Sequence, residues 1–177
     1  MCMHLAEGTS FEMMTIYASF LGVEALGANT IIANLSFIVY MISVGISISA
    51  ATHIGNQLGA GNYKNARQMY QSTYLLAVIT SIVIVVSACA FTEQLLHLYT
   101  YNEAILDHLY PAVLPLIVLM FMDNIQSSLK GVYRGIGKQK LGFTVLLISY
   151  GVVGNVTSGV FAFSMGLGLR GIWFGHA

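Results

Sequence analysis

Four polar side chains recur at helical spacing within an apolar part of the sequence. Asp123, Gln126, Ser127 and Lys130 stand at i, i+3, i+4 and i+7, so a helix would carry them on one face. A polar face on an apolar helix is expected to point into a helix bundle or a water-filled cavity. The sequence therefore predicts that this face lines a cavity. The alternative is that Lys130 marks a helix end and that Asp123 pairs with it.

Two carboxylates near the beginning of the chain form a second candidate site. Glu7 and Glu12 lie five residues apart, which is about 500° of rotation at roughly 100° per residue, so they do not share a helix face. One is expected to face a cavity while the other faces a neighbouring helix. The alternative is that Glu7 is simply solvated near the start of the chain.

Other polar and sulfur-containing residues have simpler explanations. Asn29 and Asn34 are uncharged, and hydrogen bonds between helices explain them adequately. Cys2 and Cys89 lie in apolar surroundings, at a spacing typical of neither a metal site nor a disulfide. We therefore expect two small buried hydrophobic residues and no metal site.

An intramembrane enzyme would need an aspartate pair or a Ser/His arrangement. Asp123 is the only clear aspartate at depth, and His53 is predicted near a helix end. The sequence therefore does not favour an enzyme.

The composition indicates where these residues lie. Of the 177 residues, 56% are hydrophobic and 8% are charged, and the mean hydropathy is +0.76. Soluble domains carry about 25% charged residues, and disordered chains combine low hydrophobicity with high charge, so both classes are excluded. Basic and acidic residues number seven each, so nucleic acid is not an expected partner. The chain is predicted to be an integral membrane protein whose surroundings are the lipid bilayer.

Three long stretches without charged residues give the positions of the membrane helices: 25–63, 68–92 and 141–169. A spanning helix needs about 20 apolar residues, and these runs are too long for barrel strands. We predict an all-α polytopic helix bundle of about five complete transmembrane helices and the start of a sixth, with Trp173 at the membrane interface. The five helices are expected at about 1–21, 26–53, 66–91, 105–134 and 141–167.

The basic residues predict the orientation. Lys64 and Arg67 follow the second helix, and Lys130, Arg134, Lys138 and Lys140 lie at or between the fourth and fifth. Six of the seven basic residues therefore fall on one side, which the positive-inside rule makes cytoplasmic. Small residues at helical spacing, such as Gly45 with Ser49, are expected to let helices approach closely.

Three ordered motifs carry a resemblance to a known family. They are Val44-Gly-Ile-Ser-Ile-Ser-Ala-Ala-Thr-His-Ile-Gly-Asn-Gln-Leu-Gly-Ala-Gly-Asn62, Gly131-Val-Tyr-Arg-Gly-Ile-Gly-Lys-Gln-Lys-Leu-Gly142 and Gly168-Leu-Arg-Gly-Ile-Trp-Phe-Gly175. Together they resemble the multidrug and toxic compound extrusion (MATE) transporters over essentially the whole chain, and the eukaryotic branch more than others. The glycine-rich part is no phosphate-binding loop, because the Lys-Ser/Thr that such loops use is missing.

The resemblance implies an architecture and an activity. MATE transporters have two six-helix lobes around a central cavity and export organic cations or drugs against H⁺ or Na⁺, mostly H⁺ in the eukaryotic branch. Residues 1–177 would form the carboxy-terminal lobe, truncated at both ends, and the amino-terminal lobe would be a missing partner. The expected partners are therefore the bilayer, small organic cations or drugs, and that lobe. No cofactor is expected beyond the coupling ion, H⁺ or possibly Na⁺.

The resemblance also implies roles for single residues. Glu7, Glu12 and Asp123 match acidic positions that would couple protons or bind the substrate cation. Asn34 falls where some animal members carry Glu, and His53 replaces a usual Arg. The implied cavity-lining residues are Asn34, Gln126 and Ser127, and the implied motif-loop residues are Gly55, Asn56, Gly59, Gly61, Arg134, Gly135 and Gly137.

Two alternative functions share the helix pattern. A lipid-linked oligosaccharide flippase of the same superfamily should line its cavity with cationic residues, whereas the deep residues here are acidic. A non-transporting membrane scaffold would leave the polar face of the fourth helix without a purpose.

Overall fold

The computed structural model describes residues 2–176, with side chains from residue 7 onward. This range contains α-helices and two π-helical segments and has no β-strand, which confirms the predicted all-α fold. The first five helices are α1 (Cys2–Phe20), α2 (Val23–Gly59), α3 (Tyr63–Ala90), α4 (Thr92–Tyr99) and α5 (Glu103–Gly135).

The last long span is a composite helix. It consists of α6 (Gln139–Leu146), π1 (Leu147–Gly154), α7 (Asn155–Gly159) and π2 (Val160–Ser164), and α8 (Gly168–His176) follows it. The π-helical turns were not predicted. Such turns are rare and occur frequently at functional sites, and π1 carries Tyr150, which contacts Asp123.

Four helical spans are long and apolar enough to cross a membrane. They are Val23–Gly59, Tyr63–Ala90, Glu103–Gly135 and Gln139–Ser164. Helix α1 is not among them, because Glu7, Glu12 and neighbouring polar residues lower its hydropathy. The predicted bundle is otherwise in place, although α2 ends about six residues later than expected and the short α4 was not foreseen.

Helices α2 and α5 approach each other most closely where α5 has glycine. A Cβ atom on Gly131 would overlap the main chain of Ser47, and one on Gly135 would lie 3.0 Å from the Ile54 side chain. Small residues allow such an approach in membranes. The predicted pair of Gly45 and Ser49 does not serve this purpose, because both residues are exposed.

The core lies where α1, α2, α5 and α8 meet. Trp173 is only 1% exposed, and its Nε1 donates to Oδ1 of Asn29 at 3.1 Å. The prediction of an interfacial Trp173 is therefore wrong, because Asn29 offers the indole N–H a buried acceptor. Cys89 is exposed on α3, contrary to expectation, and the side chain of Cys2 lies outside the described residues.

The outer face of α3 is apolar, with Leu75, Ile79, Val83 and Val86 all exposed. Water would disfavour such a surface, and lipid does not. The α3 surface therefore fits a bilayer, as predicted.

Candidate functional site

A cavity of about 680 Å³ opens between α1, α2 and α5. Three carboxylates and one amide line it: Glu7 and Glu12 from α1, Asp123 from α5, and Asn34 from α2. The remaining lining residues are mostly apolar or aromatic, namely Gly8, Phe11, Ala33, Ser36, Phe37, Tyr40, Met41 and Val44. The structure thus brings together four of the site residues that were singled out from the sequence.

Glu7 is buried and held by a partner that the sequence did not suggest. Its Oε1 forms an ion pair with the Lys130 ammonium, and its Oε2 accepts from the Tyr40 hydroxyl at 3.3 Å. The ammonium lies 5.1 Å from the centroid of the Tyr40 ring, within the range of a cation–π contact. Only 5% of Glu7 and 3% of Lys130 are exposed. Glu7 is therefore not solvated.

This ion pair corrects two expectations about Lys130. The alternative that it pairs with Asp123 is wrong, since the recorded ion pair joins Lys130 to α1. Seven residues correspond to about 10 Å along a helix, which separates Asp123 from Lys130. Lys130 also lies inside the bundle rather than at a cytoplasmic end, so five basic residues, not six, support the predicted orientation: Lys64, Arg67, Arg134, Lys138 and Lys140.

Asp123 faces the cavity with one oxygen fixed. Its Oδ1 accepts from the Tyr150 hydroxyl at 3.0 Å and from the Ser127 hydroxyl at 3.3 Å. Within residues 7–176, no hydrogen bond to its Oδ2 is recorded. Asp123 therefore keeps an acceptor that a ligand can use.

Gln126 and Ser127 were expected to line the cavity, and the structure does not place them among its lining residues. Gln126 instead bonds to the Tyr150 hydroxyl, and Ser127 bonds to Asp123. Both lie about one turn further along α5, where Ser127 supports Asp123 directly and Gln126 shares the Tyr150 hydroxyl with it.

Glu7 and Glu12 differ in exposure, but the expectation that one faces the cavity while the other faces a neighbouring helix is wrong, because both line the cavity. Glu12 is exposed, while Glu7 is buried. Asn34 is likewise exposed and lies on the α2 wall. These two residues form the accessible polar part of the lining.

Aromatic rings connect this region to α8. The Tyr150 ring lies 4.9 Å from the His176 ring, which lies 5.4 Å from Phe11. Phe11 in turn contacts Trp173 at a centroid distance of 6.3 Å. The cavity wall formed by Phe11 is therefore supported by the core.

We call Glu7, Tyr40, Asp123, Lys130 and Tyr150 the cavity cluster.

A second polar cluster lies on the other side of α5 and was not predicted. The amide of Asn124 accepts from the Ser43 hydroxyl of α2 and donates to Ser81 at 2.8 Å and to Thr80 at 3.1 Å, both on α3. We call these four residues the Asn124 cluster. It is neutral, and it joins three helices.

Most of the residues expected in motif loops are helical. Gly55, Asn56 and Gly59 lie in α2, and Arg134 and Gly135 lie in the last turn of α5. Only Gly61 (φ 76°) and Gly137 (φ 73°) lie in turns, where a positive φ favours glycine.

The motif residues serve the contact between α2 and α5. A Cβ on Gly55 would lie 3.7 Å from the Gly135 carbonyl, so glycines from two motifs face each other. Arg134 Nη2 donates to the Ser47 hydroxyl at 2.7 Å across the same contact. The motifs therefore fix the geometry of α5, and with it the position of Asp123.

Comparison with known proteins identifies the family. The sequence model of the MatE family matches residues 1–160. This chain belongs to the MatE family.

Individual MatE proteins resemble the chain along nearly its full length. It is 31% identical to "Multidrug and toxin extrusion protein 1" of Homo sapiens, over 99% of this chain and 31% of that protein. It is 34% identical to "Protein DETOXIFICATION 16" of Arabidopsis thaliana, over 94% of this chain and 35% of that protein. The chain thus spans about a third of the length of these curated relatives.

A solved MatE structure shows the same fold. The eukaryotic MATE transporter AtDTX14 superposes with a TM-score of 0.92 at 25% identity, covering 99% of this chain and 40% of that chain. The MatE relatives are transporters rather than enzymes, and the four apolar spans make this chain a multi-pass integral membrane protein.

Proposed function

We propose that this protein exports small organic cations, including drugs and toxins, by antiport against H⁺ or Na⁺. The chain described here would supply the carboxy-terminal lobe of the transport pathway and would work with an amino-terminal lobe. The observation that carries the proposal is the cavity between α1, α2 and α5, which combines three carboxylates with aromatic side chains.

The lining chemistry favours an organic cation as the substrate. Coulomb attraction between a cation and Glu7, Glu12 or Asp123 is strengthened where water is scarce. Phe11 and Phe37 offer apolar faces to the organic part of such a molecule and add cation–π attraction. The volume, about 680 Å³, lies within the usual range of small-molecule sites.

The same lining disfavours a flippase for lipid-linked oligosaccharides, which needs cationic groups for an anionic headgroup. Among the described lining residues, the charged ones are Glu7, Glu12 and Asp123. The basic side chain of Lys130 lies nearby, but it is not among the lining residues and its charge is paired with Glu7.

Antiport follows if the coupling ion and the substrate compete for the same negative charge. A carboxylate that takes up H⁺ or binds Na⁺ releases a bound organic cation, and the reverse exchange prepares the next cycle. Each ligand shifts the balance between inward-open and outward-open states by its differential affinity for them. No cofactor beyond the coupling ion is needed.

The test uses membrane vesicles containing the full-length protein. An imposed pH gradient, with the vesicle interior acidic, should accelerate accumulation of tetraethylammonium if H⁺ is the coupling ion. A Na⁺ gradient, with Na⁺ higher inside, tests the other coupling ion in the same way. Accumulation that responds to neither gradient would overturn antiport. Asp123→Asn should reduce accumulation, whereas Asp107→Asn changes an exposed carboxylate outside the cavity lining and serves as the matched control.

The proposed orientation places the turns at residues 59–65 and 135–140 in the cytoplasm, because basic residues concentrate there. Single cysteines replacing Asn62 and Asn102, with Cys2 and Cys89 removed, should react with impermeant reagents from opposite sides. Labelling of both from outside would contradict this orientation.

A further inference from the structure

The Lys130 ammonium contacts Oε1 of Glu7, a carboxylate that lines the cavity. Lys130 belongs to α5 and Glu7 to α1, so 123 positions of sequence separate the partners. Both side chains are almost completely buried. The pair is therefore shielded from water, and its charges interact more strongly than they would in water.

Both oxygens of Glu7 are already engaged, although the residue lines the cavity. Oε1 contacts the Lys130 ammonium and Oε2 accepts from Tyr40. A cation that enters the cavity thus meets a neutralised Glu7. The carboxylates that remain open to it are Asp123 and Glu12.

We propose that Lys130 is a tethered competitor for the Glu7 carboxylate and so sets the affinity of the cavity for organic cations. An incoming cation binds Glu7 only when the ammonium leaves it. This inference rests on the proposed cation transport and identifies the residue that limits binding at that site.

The Tyr40 ring can stabilise the Lys130 ammonium when it leaves Glu7. The ammonium already lies 5.1 Å from the centroid of that ring, and this cation–π contact does not depend on Glu7. Tyr40 also lines the cavity, so the ring is shared between the tethered cation and an entering one. Movement of Lys130 on and off Glu7 thereby alters the charge presented to the substrate.

The main experiment measures binding of ethidium, a fluorescent organic cation, to the purified full-length protein. Lys130→Gln should tighten ethidium binding by about tenfold, the lower end of couplings measured for close charge pairs. Lys138→Gln removes an exposed lysine in the turn after α5 and should change nothing. Unchanged or weaker binding by a folded Lys130→Gln protein would overturn the proposal, because removing a competitor must leave the Glu7 carboxylate free to bind the cation.

A neutral double variant tests the same idea without leaving an unpaired charge. Glu7→Gln combined with Lys130→Gln should bind ethidium within about threefold of the wild type, because Lys130 already cancels Glu7 there. If Glu7 were open to substrate, the double variant would instead lose affinity as strongly as Asp123→Asn. That result would overturn the competition even if Lys130→Gln alone did not fold.

Asp123→Asn separates this inference from the proposed function. If it weakens ethidium binding while Lys130→Gln fails to tighten it, or while the double variant loses affinity as strongly as Asp123→Asn, only the tethered competitor is refuted. If Asp123→Asn leaves ethidium binding unchanged, the cation site itself is refuted, and the competitor with it.

Discussion

Asp123 and Asn124 are neighbours on α5, yet they belong to two different polar regions. Asp123 belongs to the cavity cluster, which is charged, and lines the cavity with one oxygen bonded to Tyr150 and Ser127. Asn124 is 1% exposed and joins α5 to α2 and α3 through neutral partners. The first region holds groups that a ligand can still use, whereas the second has its polar groups paired within the bundle.

The difference shows how one helix serves both assembly and binding. Neutral hydrogen bonds between helices hold a bundle at modest cost, because neither partner carries a full charge. Charged groups at membrane depth are expensive and are usually kept for ligands or ions. We therefore expect changes in the Asn124 cluster to alter stability and changes around Asp123 to alter binding, with the buried ion pair contributing to both.

Removing one partner of the ion pair should have the largest effect. Glu7→Gln leaves the Lys130 ammonium buried without its counter-ion, and we expect the free energy of unfolding to fall by about 3–5 kcal/mol. Thermal unfolding in detergent measures this loss. Glu12→Gln, an exposed carboxylate on the same helix, should leave it unchanged. Equal effects of the two variants would mean that the pair does not stabilise the bundle.

Breaking the Asn124 cluster should come next. Asn124→Leu leaves the buried Ser43 hydroxyl without its acceptor, whereas Ser81 keeps its hydrogen bond to the Ala77 carbonyl. One orphaned buried group costs about 1–3 kcal/mol. We expect a stability loss of about 2 kcal/mol in the same unfolding experiment, with ethidium affinity retained by the folded fraction. A loss of affinity without a loss of stability would remove the distinction between the two regions.

The contrast between charged and apolar residues also explains how much of the fold and of the candidate site could be predicted from the sequence. The long spans were located to within about six residues, because stretches without charge mark membrane helices directly. The short α4 and the π-helical turns were missed, since no charge gap or residue period distinguishes them. Glu7, Glu12 and Asp123 were found because charge is conspicuous in an apolar chain, whereas Asn34 was singled out only through the family resemblance.

The partners of these residues could not be predicted in the same way. Lys130 appeared to share a face with Asp123, but its ion-pair partner comes from α1, and only the packing of α1 against α5 decides that. Asn124 was overlooked because a single amide in an apolar helix has many possible partners. Gly135 was interpreted as a loop residue and Gly131 was given no packing role, although close packing against α2 is what requires both.

Neutralising Asp123 should affect binding more than stability. The isosteric Asp123→Asn keeps an oxygen that can accept from the Tyr150 hydroxyl, so we expect the unfolding free energy to change by less than about 0.5 kcal/mol. The lost negative charge should weaken ethidium binding by about tenfold, corresponding to about 1.4 kcal/mol. Fluorescence titration checks the affinity. A large stability loss with normal binding would place Asp123 with the structural residues instead.

The smallest effect should come from Tyr150, which positions Asp123 but does not itself line the cavity. Its hydroxyl donates to Asp123 Oδ1 at 3.0 Å from π1, so Tyr150→Phe removes one of the two hydrogen bonds that orient the carboxylate. Ser127 still holds the same oxygen, and the aromatic ring still packs against His176. We therefore expect ethidium binding to weaken by only about threefold, consistent with the loss of one hydrogen bond of about 1 kcal/mol that is partly compensated.

Combining this change with Asp123→Asn shows whether Tyr150 acts through that charge. If it does, Tyr150→Phe should have less effect in the Asp123→Asn background than in the wild type, because the group that it orients no longer attracts the cation. The control is Tyr133→Phe, which changes an exposed tyrosine on α5. It should leave ethidium affinity unchanged in both backgrounds. Fully additive effects of Tyr150→Phe and Asp123→Asn would show that Tyr150 contributes independently of the carboxylate, and the π1 contact would then belong to packing rather than to cation binding.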